Sequence, residues 1–120
     1  MLNTMSRNNI LHVCDPRYPS IKDSTGVTYH DPLGDYDYDL YNGPIEAAPG
    51  EGLHGINGVP IYDPNNGNGQ FALRSSSPGY NAGMVIPNFN DNYSGGAPDI
   101  GACEAGSPPM EFGVNAYQQN

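Results

Sequence analysis

Large apolar side chains are scarce in this chain. Its 120 residues include 21 Leu, Ile, Val and Phe together and no Trp. With a formal charge of -9, that deficit is the composition of chains that bury too little apolar surface to fold. Basic residues are also few. Four Lys and Arg stand against thirteen Asp and Glu, which argues against nucleic acid and anionic membrane surfaces, since phosphates need clustered cations. Cys14 and Cys103 are too few for a disulfide framework and lack the spacing of a metal site. No apolar run approaches the roughly 18–20 residues of a membrane span. Met1 to Cys14, with Asn3, Asn8 and Asn9 in it, has no apolar block like that of a signal peptide.

Long unbroken segments are missing as well. Gly (16) and Pro (12) punctuate the chain, and after Pro16 the longest stretches without either are 35–42 and 70–77, eight residues each. A three-turn helix does not fit there. What the chain does have is nine Tyr, and disordered chains are usually poor in aromatics. The expectation is one loop-rich, all-β domain with no substantial helix. Ile10 to Val13 reads as a short strand. Asp35-Tyr36-Asp37-Tyr38-Asp39-Leu40-Tyr41 alternates as a half-buried strand does, with Asp on one face and Tyr or Leu on the other. Gln70 to Arg74 alternates too, while 56–62 and Met84 to Ile86 are weaker candidates. Residues 63–69, Asp-Pro-Asn-Asn-Gly-Asn-Gly, form a turn cluster with complete turn chemistry.

The acidic strand is the first candidate for chemistry. Asp35, Asp37 and Asp39 at period two project to one face, where three like charges repel. The segment is read as an Asp ladder on a solvated strand face whose repulsion calls for a cation or an Arg partner; the cation candidate is Ca²⁺, held by two or three of these carboxylates. Glu46 follows Asp35 at the offset of an EF-hand loop, but Leu40 replaces the glycine such a loop needs, Pro44 interrupts it and no helix flanks it. Asn88-Phe89-Asn90-Asp91-Asn92 offers oxygens and amides for a cation or sugar hydroxyls, or forms a turn. Tyr36, Tyr38, Tyr41, Tyr62, Tyr80 and Tyr93 fill the core that aliphatics leave empty, or stack on sugar rings. Core is the better reading for Tyr36 and Tyr38. His12, His30 and His54 lack metal-ligand spacing, although His30 stands next to Asp31. No nucleophile elbow is present, and no catalytic or cofactor-binding residue emerges.

Two stretches are more specific than composition. Ser77-Pro78-Gly79-Tyr80-Asn81-Ala82-Gly83 is followed by Ile86-Pro87-Asn88-Phe89-Asn90-Asp91, and then comes Gly96-Ala97-Pro98-Asp99-Ile100-Gly101-Ala102-Cys103-Glu104. They resemble the C-terminal end of right-handed parallel β-helix, pectate-lyase-like proteins of bacterial extracellular type. That family commonly closes with Ser-Pro-x-x-Asp-Ala-Gly, a loop, and Asp-Ile-Gly-Ala-aromatic-Glu. Asn8-Asn9-Ile10-Leu11 and Asp37 to Tyr41 look like its rung strands. Asn81 stands where Asp is usual and Cys103 where an aromatic is usual.

The resemblance implies terminal rungs over 1–42 with an inserted loop at 14–34. A Gly/Pro/Asn-rich connection over 43–69, a cap over 70–106 and a tail over 107–120 follow. A solenoid exposes an apolar end and open strand edges, so its last repeat must be capped. Gly83 and Gly101 would allow positive φ or close approach, and Asn81 and Asp99 would accept backbone N–H groups. Glu104 would hold a loop, while Ile100, Ala102 and Phe89 would plug the end.

At roughly 20–29 residues per repeat, two rungs and a cap fit, and we read the chain as the end of a longer solenoid with upstream rungs as its partner. The expected role is a non-catalytic capping segment of an exported, extracellular or cell-surface protein that handles polysaccharide. One alternative is the tail of a polysaccharide lyase whose catalytic rungs lie upstream. The other is a Ca²⁺-stabilised adhesin or carbohydrate-binding module. Arg7, Arg17, Lys22 and Arg74 are too few for a uronate groove, which wants several cations. A Cys14–Cys103 disulfide would suit export, whereas two unpaired thiols would behave as small hydrophobes.

Overall fold

The computed structural model describes residues 4–23, 33–65 and 71–108. His30, residues 24–32 of the inserted loop, turn residues 66–69, Gln70 and the tail from 109 lie outside the described residues.

Seven strands of two residues each carry the fold, and no helix occurs among the described residues. They are β1 (Met5–Ser6), β2 (Ile10–Leu11), β3 (Ile21–Lys22), β4 (Asp35–Tyr36), β5 (Leu40–Tyr41), β6 (Ile45–Glu46) and β7 (Ile56–Asn57). All pairing between them is parallel. β1 pairs with β4, β2 with β5 and then β7, and β3 with β6. The chain therefore crosses three ladders in the same order twice and enters the middle ladder a third time. Spacing is uneven: Ile10 pairs with Leu40, thirty residues on, and Leu40 with Ile56, sixteen on. Residues 43–69, expected to be a connection, supply β6 and β7.

Register places like beside like. Ile10, Leu40 and Ile56 share one row of the middle ladder, and Ile21 lies beside Ile45. Lys22 lies beside Glu46, with Nζ 3.5 Å from Oε2. This exposed pair contributes little stability.

The alternating segment 35–41 is not one strand. It breaks between β4 and β5 because Tyr38 takes φ +55°, a left-handed value rare for a bulky side chain. Asn8 lies level with it one turn earlier, at φ +56°, and its N–H donates to the Tyr38 carbonyl. Both residues turn a corner between ladders. In consequence Tyr36 and Tyr38 are only half-buried, not core as expected.

Residues 71–105 run beside the middle ladder. Tyr62 and Leu73 form an antiparallel bridge, all that the described residues show of the strand expected at 70–74, and 84–86 forms none. Beyond it, a Cβ placed on Gly58 in the third turn would stand 2.9 Å from Pro78 Cγ. A Cβ on Gly79 would stand 3.2 Å from both Leu40 Cδ2 and Leu73 Cδ1 and 3.4 Å from Ile100 Cβ. One on Gly101 would stand 3.0 Å from Ile10 Cδ1 in the first turn. The C-terminal segment thus touches all three turns and lies along the stack rather than across its end. Its core is small: Leu40 and Ile100 are fully buried, with Leu73, Ala72 and Ile21 nearly so. Phe89 (82% exposed) and Ala102 are outside it, so neither is a plug.

Candidate functional site

The three carboxylates expected to share a cation are separated by the corner at Tyr38. Asp35 takes the Arg7 guanidinium, Nη2 to Oδ2 at 2.5 Å, while Arg7 Nη1 also donates to the Asp35 carbonyl. Asp37 accepts the His54 backbone N–H on Oδ1 and meets His54 Nδ1 on Oδ2, both at 2.7 Å. Asp39 is buried, and its Oδ1 accepts the Asn9 N–H at 2.8 Å. Among the described residues, Asp39 Oδ2 is the one side-chain polar atom buried without a partner. One such oxygen is far short of the six to eight that Ca²⁺ needs, and no group of three or more His, Cys, Asp and Glu set to hold a metal occurs among the described residues. Asp35, Asp37 and Asp39 thus meet three different partners, Arg7, His54 and Asn9, and form no shared cluster. Thermal unfolding with and without millimolar Ca²⁺ is expected to give the same midpoint, and a rise of several degrees would restore the site.

Asp37 and His54 form a local unit with Tyr38, whose ring stacks on the imidazole at 4.8 Å between centroids. Burial pushes the Asp37 carboxyl up, but hydrogen bonds from the His54 side chain and backbone and from the Tyr38 backbone outweigh it. The carboxyl therefore lies below its ordinary value of 3.8. A depressed acid stabilises the fold above its unfolded pKa, and that contribution disappears as pH falls through the folded value. Midpoints measured from about pH 5 down to about pH 2 should fall less steeply in Asp37→Asn than in the parent chain. Parallel slopes would remove Asp37 as a source of acid sensitivity.

The residues read as a cap do converge. Asp99 is buried and accepts the Asn81 N–H on Oδ1 (2.7 Å) and the Ala105 N–H on Oδ2 (2.8 Å). Glu104 accepts the Asp99 N–H (2.9 Å) and the Ser94 N–H (3.0 Å) on its two oxygens. Two side chains thus satisfy four backbone donors in turns that have no ladder to bond with. Asn81, at φ +52°, differs from expectation. With its amide nitrogen turned inward it donates to the carbonyls of Ala97 (3.1 Å) and Ser94 (3.3 Å), a role a carboxylate cannot fill. Gly83 is a point of close approach, since a Cβ there would lie 2.9 Å from the Pro98 oxygen and 3.0 Å from the Asp99 oxygen. Gly101 has φ +120°. Cys14 and Cys103 are both free thiols.

Asn8, expected only as part of a strand, ties the first turn to the C-terminal segment. Its amide nitrogen donates to the Met84 carbonyl and its amide oxygen accepts the Met84 N–H, both at 2.7 Å. The Gly101 N–H donates to the Asn8 carbonyl. An Asn at a tight corner was legible as a residue that tolerates φ > 0; its partner 76 residues away was not.

Between that corner and the loop 88–93 lies a cleft of about 790 Å³, rimmed by Arg7, Asn88, Phe89, Asn92, Tyr93 and Glu104. Its volume is within the usual range for small-molecule sites. The Asn88 N–H donates to Asp91 Oδ2, and Asn90 receives the Ile86 N–H while donating to the Met84 carbonyl. The loop that carries Phe89 is therefore braced at both ends.

No family model matches the chain, and comparison with curated proteins and with solved structures finds no match to either. No described helix is long and apolar enough to cross a membrane.

Proposed function

We propose that the chain is a structural module: the terminal turns of a parallel β-helix, with residues 71–105 laid along the stack to hold successive turns in register. The observation that carries this reading is the repeated crossing of three parallel ladders in one order. The Ser-Pro-Gly-Tyr-Asn-Ala-Gly and Asp-Ile-Gly-Ala-Cys-Glu sequences add the resemblance to the end of such proteins, and Asp99 and Glu104 within the second are engaged in holding turns. In this reading the outer edge of the first turn receives upstream turns, and the parent is an exported protein that binds or acts on polysaccharide.

Two measurements test it on the full chain. Methyl NOEs should connect Ile10 to Leu40 and Leu40 to Ile56, as stacked turns require, and their absence would sink the architecture. Incubation with polyuronates and with neutral polysaccharides should release no product. Unsaturated or reducing-end products from a purified, folded sample would overturn the non-catalytic role.

A further inference from the structure

The structure assigns a ligand class to the cleft between the Arg7–Asn9 corner and the loop 88–93. We propose that it binds a neutral oligosaccharide, with Phe89 and Tyr93 as stacking platforms and the amides of Asn88 and Asn92 as hydroxyl partners.

Phe89 is the most exposed large apolar residue described, at 82%. A single exposed aromatic on a mobile loop means little. This one stands on a turn closed by four hydrogen bonds, from the N–H groups of Phe89 and Asn90 to the Ile86 carbonyl, from Ile86 N–H to Asn90 and from Asn88 N–H to Asp91. Its exposure is thus built into the turn, and a partner meeting it has little ordering to do. Tyr93, 36% exposed, lines the same cleft four residues on. A pyranose offers one face of C–H groups for such rings and a rim of hydroxyls that both donate and accept. The side-chain amides of Asn88 and Asn92 also do both, and neither has a partner among the described residues.

Charge selects against an acidic sugar. Asp91, Asp99 and Glu104 line the cleft, and its one cation, Arg7, is committed to Asp35 and to two backbone carbonyls. A uronate would meet carboxylates with no free cation to pair with. The net charge of -9 opposes its approach from a distance.

The test is NMR titration of the full chain with neutral gluco-, xylo- and manno-hexasaccharides, with oligogalacturonate as the acidic counterpart. The expected result is saturable shifts of the Phe89 and Tyr93 ring signals and of the Asn88 and Asn92 side-chain amides with at least one neutral sugar. Phe89→Ala should weaken that binding at least tenfold without moving the unfolding midpoint, because the ring it removes is exposed. Asn92→Ala should weaken it several-fold. Absence of saturable shifts with every neutral sugar would overturn the proposal. So would equal binding by Phe89→Ala, or tighter binding of oligogalacturonate. None of these outcomes alters the Ile10–Leu40–Ile56 NOEs, so failure here is distinguishable from failure of the stacked architecture.

Discussion

Leu40→Ala is expected to lower the unfolding free energy by about 2–5 kcal/mol, the range for a fully buried leucine. Leu40 is 0% exposed and holds the middle position of the middle ladder. A Cβ placed on Gly58 or Gly79 would stand 4.0 or 3.2 Å from its Cδ atoms, and one on Gly79 would also stand 3.2 Å from Leu73 and 3.4 Å from Ile100. Removing it leaves a void where the stack and the C-terminal segment meet. Five apolar residues make up the buried core among those described, so few neighbours are available to fill the space. A small domain has a total stability of roughly 5–15 kcal/mol, and this substitution consumes a large share of it. Leu40→Met, which keeps most of the volume, should cost less than about 1.5 kcal/mol. Chemical denaturation of the two variants checks the prediction, and equal midpoints would show that Leu40 is not the centre of the core.

Asp99 is expected to be nearly as sensitive, for a different reason. Each of its carboxylate oxygens accepts one backbone N–H, from Asn81 and from Ala105. The residue is 3% exposed, so water cannot replace either bond. Asp99→Ala orphans two donors at about 1–3 kcal/mol each. Asp99→Asn is the sharper test, because its shape is unchanged. Its NH₂ must face one of the two donors, so the variant should still lose roughly 1–3 kcal/mol. Amide exchange at Asn81 and Ala105 is the direct readout. The isosteric variant should lose protection at one of these amides and keep it at the other. Unchanged protection at both would mean that the carboxylate does not hold these turns.

Much of this was readable from residue types. Glycine and proline spacing excluded a three-turn helix after Pro16, and no helix occurs among the described residues. The pairs Ile10-Leu11, Leu40-Tyr41 and Ile56-Asn57, each with at least one large apolar side chain, fell within the segments expected to extend. The polar clusters at 77–83 and 96–104 were recognisable as turn-holding chemistry, and Asp99 and Glu104 hold turns as donor-poor, acceptor-rich side chains should. The acidic segment was not readable. Period-two alternation assumes a continuous extended backbone, and Tyr38 leaves it. That one left-handed residue sends Asp35, Asp37 and Asp39 to Arg7, His54 and Asn9.

Local chemistry therefore determined which segments bend, which extend and which side chains are able to cap a turn, because φ preference and hydrogen-bonding capacity belong to the residue itself. Stacking decided the rest. Asn8 meets Met84, Ile10 meets Gly101 and Leu40 meets Gly79 only when successive turns lie in register and the C-terminal segment runs beside them. Those contacts join residues far apart in the chain, and their energy comes from burial and bond pairing between turns. No window of sequence contains both partners, which is why the cleft beside Phe89 emerged only from the folded chain.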